Sequence, residues 1–222
     1  MKNIKMQDER VIGIDEAGRG SFIGPLVIAG FSIPYIFISR LKELGVKDSK
    51  KLTPAKRTEL YVKLKKLERS SVLIYKLSPQ LIDSYVWSNV KNINLNYLEA
   101  VYMAKIINRL PGNYTVIDAA DVSESLFLKN VLKNVKRNVI LISSHHADDL
   151  YAVVSAASIV AKVVRDKEIE KLHKIYGNFG SGYPSDPKTL EFLKSLKDKP
   201  EVLHAIRLSW KTLNKLNNIR FL

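Results

Sequence analysis

The stretch Val11-Ile12-Gly13-Ile14-Asp15-Glu16-Ala17-Gly18-Arg19-Gly20 decides how this chain is read. Val11, Ile12 and Ile14 have the β-branched composition of a buried strand, and Asp15 and Glu16 follow as poor strand formers at the point where the strand is expected to stop. Gly18 and Gly20 free the backbone on both sides of Arg19, which suits a tight turn that approaches a sugar or a phosphate closely. Two neighbouring acids alone read as a solvated turn. They acquire a chemical meaning only if other parts of the chain bring further acids to them.

Working outward, residues 25–33 form a second strand, reached by a short connection and read as the antiparallel neighbour of the first. Residues 42–69 carry ten Lys or Arg against four Asp or Glu, a run that fits a solvated face and phosphate contact equally well. Inside it Thr53-Pro54 is a helix start, with Leu60, Leu64 and Leu67 on one face. Residues 71–77 read as a strand and 79–86 as a short helix. Asn94 caps a long helix to Leu110, closed by Pro111-Gly112. The apolar run 114–117 ends at Asp118. Residues 123–135 have helical spacing, and the run 139–142 leads into Ser143-Ser144-His145-His146-Ala147-Asp148-Asp149. His145 and His146 are read as structural or exposed rather than as proton relays.

Residues 150–173 are patterned as a buried helix of small and branched residues. Ser155, Ser158, Lys162 and Arg165 fall on one stripe of it, and seven residues back from Ser155 stands Asp148. The alternative to a functional groove is a narrow exposed edge. Residues 177–187 are rich in Gly, Pro and Ser around Tyr183, an aromatic suited to stacking on a sugar or base or to plugging the fold. Asp186-Pro187 opens another helix, and Trp210, Leu213 and Leu216 mark the apolar edge of a last one. The domain reading is a core over 1–185 and a helical C-terminal extension, 186–222, packed on it.

Composition narrows the partners. The 222 residues carry 36 Lys and Arg against 22 Asp and Glu, a formal +14, so the surface field attracts polyanions, nucleic acid first. Without cysteine there are no disulfides or thiolate metal sites. No signal-peptide core or membrane-spanning run is evident, and the expectation is a soluble, cytoplasmic monomer without membrane contact. Four acids then stand out at the ends of apolar runs: Asp15, Glu16, Asp118 and Asp148. Oxygen-only donors suit Mg²⁺ or Mn²⁺, and a pair of such ions relieves the repulsion among acids that must face a polyanion. Spacing alone does not separate Asp118 from Asp121, or Asp148 from Asp149. Nor can Asp15 and Glu16 both serve one cluster unless the strand breaks or twists between them.

With these residues on the page the sequence resembles ribonuclease HII, the type 2 ribonuclease H family, in its archaeal branch. The matching segments are 13–20, Asp48-Ser49-Lys50-Lys51-Leu52-Thr53-Pro54, Asp118-Ala119-Ala120-Asp121-Val122, 147–149, 155–162 with Arg165 and Asp166, and Gly180-Ser181-Gly182-Tyr183-Pro184-Ser185-Asp186-Pro187. The resemblance implies an α/β fold with a ribonuclease H-like mixed five-stranded sheet flanked by helices. It implies endonucleolytic hydrolysis of RNA in RNA/DNA hybrids and incision 5′ of ribonucleotides embedded in duplex DNA, with two Mg²⁺ or Mn²⁺ ions and 3′-hydroxyl and 5′-phosphate products. It assigns metal binding and catalysis to Asp15, Glu16, Asp118 and Asp148, and sensing of the ribose 2′-hydroxyl to the backbone of Gly18, Arg19 and Gly20. Tyr183 is implied to stack on the adjacent deoxyribose. The resemblance also implies phosphate contacts by Lys50, Lys51, Lys162 and Arg165, and substrate binding at Ser155. The chain's ending, Asn217-Asn218-Ile219-Arg220-Phe221-Leu222, departs from the sliding-clamp box of relatives, so no clear clamp motif is expected. Competing readings are a noncatalytic basic nucleic-acid binding module and another nuclease of the same fold.

Overall fold

A computed structural model describes residues 9–46, 52–121, 123–195 and 200–213. Its centre is a five-stranded mixed sheet in the order β3-β2-β1-β4-β5, built from β1 (Arg10–Ala17), β2 (Leu26–Pro34), β3 (Ser71–Leu77), β4 (Tyr114–Asp118) and β5 (Ile140–Ser144). The first three strands are antiparallel neighbours, while β4 runs parallel to β1 and β5 parallel to β4. Between the strands lie α1 (Ile38–Glu43), α2 (Pro54–Lys66), α3 (Pro79–Val86), α4 (Leu95–Arg109) and α5 (Glu124–Leu132), and after β5 come α6 (Ala147–Leu150), α7 (Ala152–Tyr176) and α8 (Pro187–Lys194). Most elements lie where the sequence puts them. Thr53, Ser78, Asn94, Ser123 and Asp186 each cap a helix by accepting a backbone N–H, worth roughly 1 kcal/mol apiece.

Alternation along β1 sorts its side chains between two cores. Val11 and Ala17 join the core under α7, whereas Ile12 and Ile14 join the core under α4 and α5. Gly13 faces α7, and a Cβ there would stand 2.2 Å from the Val153 carbonyl oxygen, so glycine is what lets the start of α7 lie against the strand. A third apolar cluster joins Phe22 and Ile23 to Ile169, Phe179, Leu193 and Ile206, packing the C-terminal segment on the turn after β1. No helix of the described residues is long and apolar enough to cross a membrane.

Two expectations are corrected, at the first strand and at the last helix. The first strand does not stop at Asp15 and Glu16. It continues through Ala17, because residues 15–17 pair with Ala29, Ile28 and Val27 of β2, and ladder bonds outweigh weak propensity. Asp148 stands before the long helix, as the sequence places it, in the separate turn α6, which follows His146 at φ 55° and is closed by Tyr151. On the α7 stripe Ser155, Ser158 and Arg165 are all buried, which sets aside the alternative of an exposed edge. At the last helix, Trp210 lies in an irregular stretch after the 3-10 segment Pro200–Ala205, and Leu213, the last described residue, has 3-10 rather than α-helical geometry. The backbone N–H of Arg207 goes to Phe22 and those of Leu208 and Ser209 go to Asp83, while Trp210 and Leu213 donate to the carbonyls three residues back, at 3.3 and 2.9 Å, which is the tighter 3-10 pattern. Leu216 lies outside the described residues.

Candidate active site

β1 and β4 run side by side and their chains part at the C-terminal ends, β1 turning into β2 and β4 leading to α5. Such a divergence opens a crevice beyond the strand ends. The last bonded pair is Ile14 with Ile117, which puts Asp15 and Asp118 at the same level at the mouth. Asp118 accepts the N–H of Ala147 at 3.0 Å, bringing Asp148, the next residue, to the same place. The Ser155 hydroxyl donates to the Asp148 carbonyl at 2.6 Å and ties α6 to α7. Asp148 is buried and Asp149 exposed. Asp121 lies in the loop after β4 and accepts the N–H of Ser123 at 3.4 Å.

Asp15 points toward α7. Its carboxylate accepts from the Ser158 hydroxyl and from the N–H of Glu16 at 2.7 Å. Burial pushes its pKa up to about 7 against the opposing effect of Ser158, and the nearby Asp118 charge adds to the rise. Lys162 Nζ donates to Ser158 Oγ at 2.9 Å, so the α7 stripe leads from a cation through a hydroxyl to the acid. Glu16 points the other way, toward α4. Burial first, then the charges of Asp15 and Glu99, hold its pKa well above the usual carboxylate range. Its Oε2 is buried without a hydrogen-bond partner. The strand thus needs no break: the two acids occupy opposite faces at one end of the sheet.

The turn after β1 is held from several sides. Gly18 has φ +85°, and a Cβ there would stand 2.8 Å from the Pro25 carbonyl oxygen. The Arg19 guanidinium donates to both oxygens of Glu99, at 3.0 and 3.2 Å, and to Asn96 Oδ1 at 2.6 Å. Glu99 is wholly buried, and burial outweighs Arg19 in pushing its pKa up to about 7. Gly20 is exposed. Arg165 is buried, donates to the Ser181 carbonyl and stacks its guanidinium 4.7 Å from the Tyr183 ring centre, so it holds the Tyr183 loop. The same loop is fastened to the turn by the N–H of Phe22, which donates to the Gly182 carbonyl at 2.7 Å. Tyr183 and Lys162 are half-buried. Lys50 and Lys51 lie outside the described residues.

The donor chemistry fits a hard divalent cation: the acids are oxygen donors, a buried Glu16 oxygen lacks a partner, and Asp15 and Asp118 repel one another at close quarters. Among the described residues no three His, Asp or Glu side chains already close into a cage. Sequence reasoning missed two groups here, Glu99 and Arg207. Their signal was a charged residue inside an apolar run, Leu98-Glu99-Ala100 and Ala205-Ile206-Arg207-Leu208.

The family model for Ribonuclease HII matches residues 12–213, a span that takes in every group above. The chain belongs to the ribonuclease HII family. A Ribonuclease HII of Thermococcus sibiricus is 45% identical over 207 residues, covering 92% of this chain and 89% of that protein. The crystal structure of ribonuclease H2 from Pyrococcus horikoshii superposes with a TM-score of 0.81 at 42% identity, covering 93% of this chain and 96% of that one. The ribonuclease HII of Archaeoglobus fulgidus, solved in a complex with PCNA, gives a TM-score of 0.82 at 37% identity over 93% of this chain and 96% of that one. The relatives at this level are archaeal, and family membership makes the chain a type 2 ribonuclease H, an endonuclease.

Proposed function

We propose that the chain hydrolyses the RNA strand of RNA/DNA hybrids and incises duplex DNA 5′ of embedded ribonucleotides, leaving 3′-hydroxyl and 5′-phosphate ends. What supports this reading is that Asp15 and Asp118 stand level at the ends of β1 and β4, with the Ala147 amide, next to Asp148, bonded to Asp118 and Glu16 on the other face of the strand end, in a chain of net charge +14. Asp15, Asp118 and Asp148 would hold two Mg²⁺ or Mn²⁺ ions, and Glu16 would reach them from the other face, past the end of the strand. When bound, these supply an activated water and neutralise the oxygen that leaves in the phosphodiester displacement. Ser158 and Lys162 orient the Asp15 carboxylate, and the part-exposed Lys162 meets the phosphate backbone along the α7 groove.

In this reading the Gly18–Gly20 backbone meets the ribose 2′-hydroxyl, and Tyr183, steadied by Arg165, stacks on the deoxyribose beyond it. Lys50 and Lys51 contact phosphates from the basic segment before α2. The same proposal takes the enzyme to act as a monomer in the cytoplasm, on residues 1–185 as core with 186–222 packed against it. The test is cleavage mapping on a duplex with one ribonucleotide, in magnesium, manganese and chelator. One cut 5′ of the ribonucleotide, dependent on the metal, is expected. Cutting of an all-DNA duplex, or binding without any scission, would favour another nuclease or a noncatalytic module.

A further inference from the structure

Arg207 is the largest side chain in the described structure that is fully buried, and its guanidinium is spent on one turn. Nη1 donates to the Arg19 carbonyl at 2.7 Å, while Nε and Nη2 reach the Gly24 carbonyl at 3.1 and 3.0 Å. A buried guanidinium is costly, and an apolar side chain of similar volume would often serve stability as well or better. The segment that carries it is itself fixed. The Arg207 N–H donates to Phe22, Ile23 bridges Ile206, and Asp83 on α3 accepts from the N–H groups of Leu208 and Ser209 and from the Ser209 hydroxyl. Arg207 therefore reaches the turn from a rigid seat.

Peptide planarity turns this anchor into an aim. In a trans peptide the carbonyl and the following N–H point in opposite directions. With the Arg19 carbonyl fixed inward on Arg207, the N–H of Gly20 is directed outward. Gly20 is exposed, and beyond its two chain neighbours no atom lies within 4 Å of where a Cβ would stand. We infer that Arg207 is a positioning residue that, through the Arg19 carbonyl, aims the Gly20 amide at the ribose 2′-hydroxyl, making residues 206–209 part of the apparatus that tells RNA from DNA. This rests on the reading of the Gly18–Gly20 turn given above.

The test compares affinities of the full chain, in chelator, for two duplexes differing only in one ribonucleotide, measured by fluorescence anisotropy. Wild type is compared with Arg207→Lys, a point charge that cannot bridge both carbonyls as a planar fork does, and with Arg207→Gln. The expected result is preference for the ribonucleotide duplex in the wild type. That preference should fall at least fivefold in the folded variants, with all-DNA affinity unchanged within twofold. A wild type that binds both duplexes equally overturns the 2′-hydroxyl reading and this inference with it. Wild-type preference retained in the folded variants overturns the inference alone. So does equal loss of both affinities, or loss of the fold in both variants, since either assigns Arg207 a merely structural role.

Discussion

Asp15 and Glu16 are neighbours in the chain and live in different surroundings. On the α7 face, Asp15 has a hydroxyl and a lysine arranged behind it, and Asp118 beside it across the parallel pair. On the α4 face, Glu16 has a second buried acid, Glu99, whose cation Arg19 belongs to the turn. The difference teaches that one strand end with a two-residue period can serve two tasks. In the proposed function the α7 face serves the scissile phosphate, and the α4 face ties the acids to the turn assigned to the sugar.

The sharpest way to break this division is on the α7 face. Asp118→Asn should lower the cleavage rate by at least on the order of a thousandfold while hybrid affinity stays near that of wild type. Single-turnover kinetics beside a binding titration check it, and substantial turnover by the variant would remove Asp118 from the chemistry. Next in size, Gly13→Ala places a methyl against the Val153 carbonyl and must lift α7 from β1, costing roughly 1–3 kcal/mol. Thermal melting reads the cost, and a variant as stable as wild type would show that the helix does not rest on the strand there.

Tyr183→Ala should slow incision at a lone ribonucleotide about tenfold, near the value of one base-stacking contact, with less effect on binding. Equal rates for variant and wild type on that substrate would remove the stacking role. The smallest effect belongs to the α4 face. Glu99, with its pKa pushed up to about 7, holds its proton more tightly in the folded chain than in the unfolded one. Its contribution to stability is therefore fully present below the ordinary glutamate range and lost as pH rises through about 7. Glu99→Gln should gain melting temperature relative to wild type between pH 5 and pH 8, in chelator. Parallel curves for the two proteins would contradict the burial argument.

Local rules made much of this legible. Caps at Thr53, Ser78, Asn94, Ser123 and Asp186 mark helix starts by their side-chain chemistry, and the apolar runs ending at Asp118 and near Asp148 mark strand ends. What the sequence hides is long-range. That β1 continues through Asp15 and Glu16 depends on β2 lying alongside. The turn around Trp210 depends on Asp83, more than a hundred residues earlier, taking the backbone donors. Arg207 and Glu99 read as stray charges in apolar runs until the fold brings them to residues 19 and 24.

The central claim is that acids from β1, β4 and α6 share divalent cations where the scissile linkage lies. Anomalous scattering from a manganese-soaked crystal of the chain with an uncleavable hybrid tests it most directly. The account predicts manganese peaks within about 2.0–2.4 Å of carboxylate oxygens from Asp15 and Asp118, with Asp148 or Glu16 completing the shell. Peaks elsewhere, with Asp15 still on Ser158 and Asp118 still on the Ala147 amide, would contradict it.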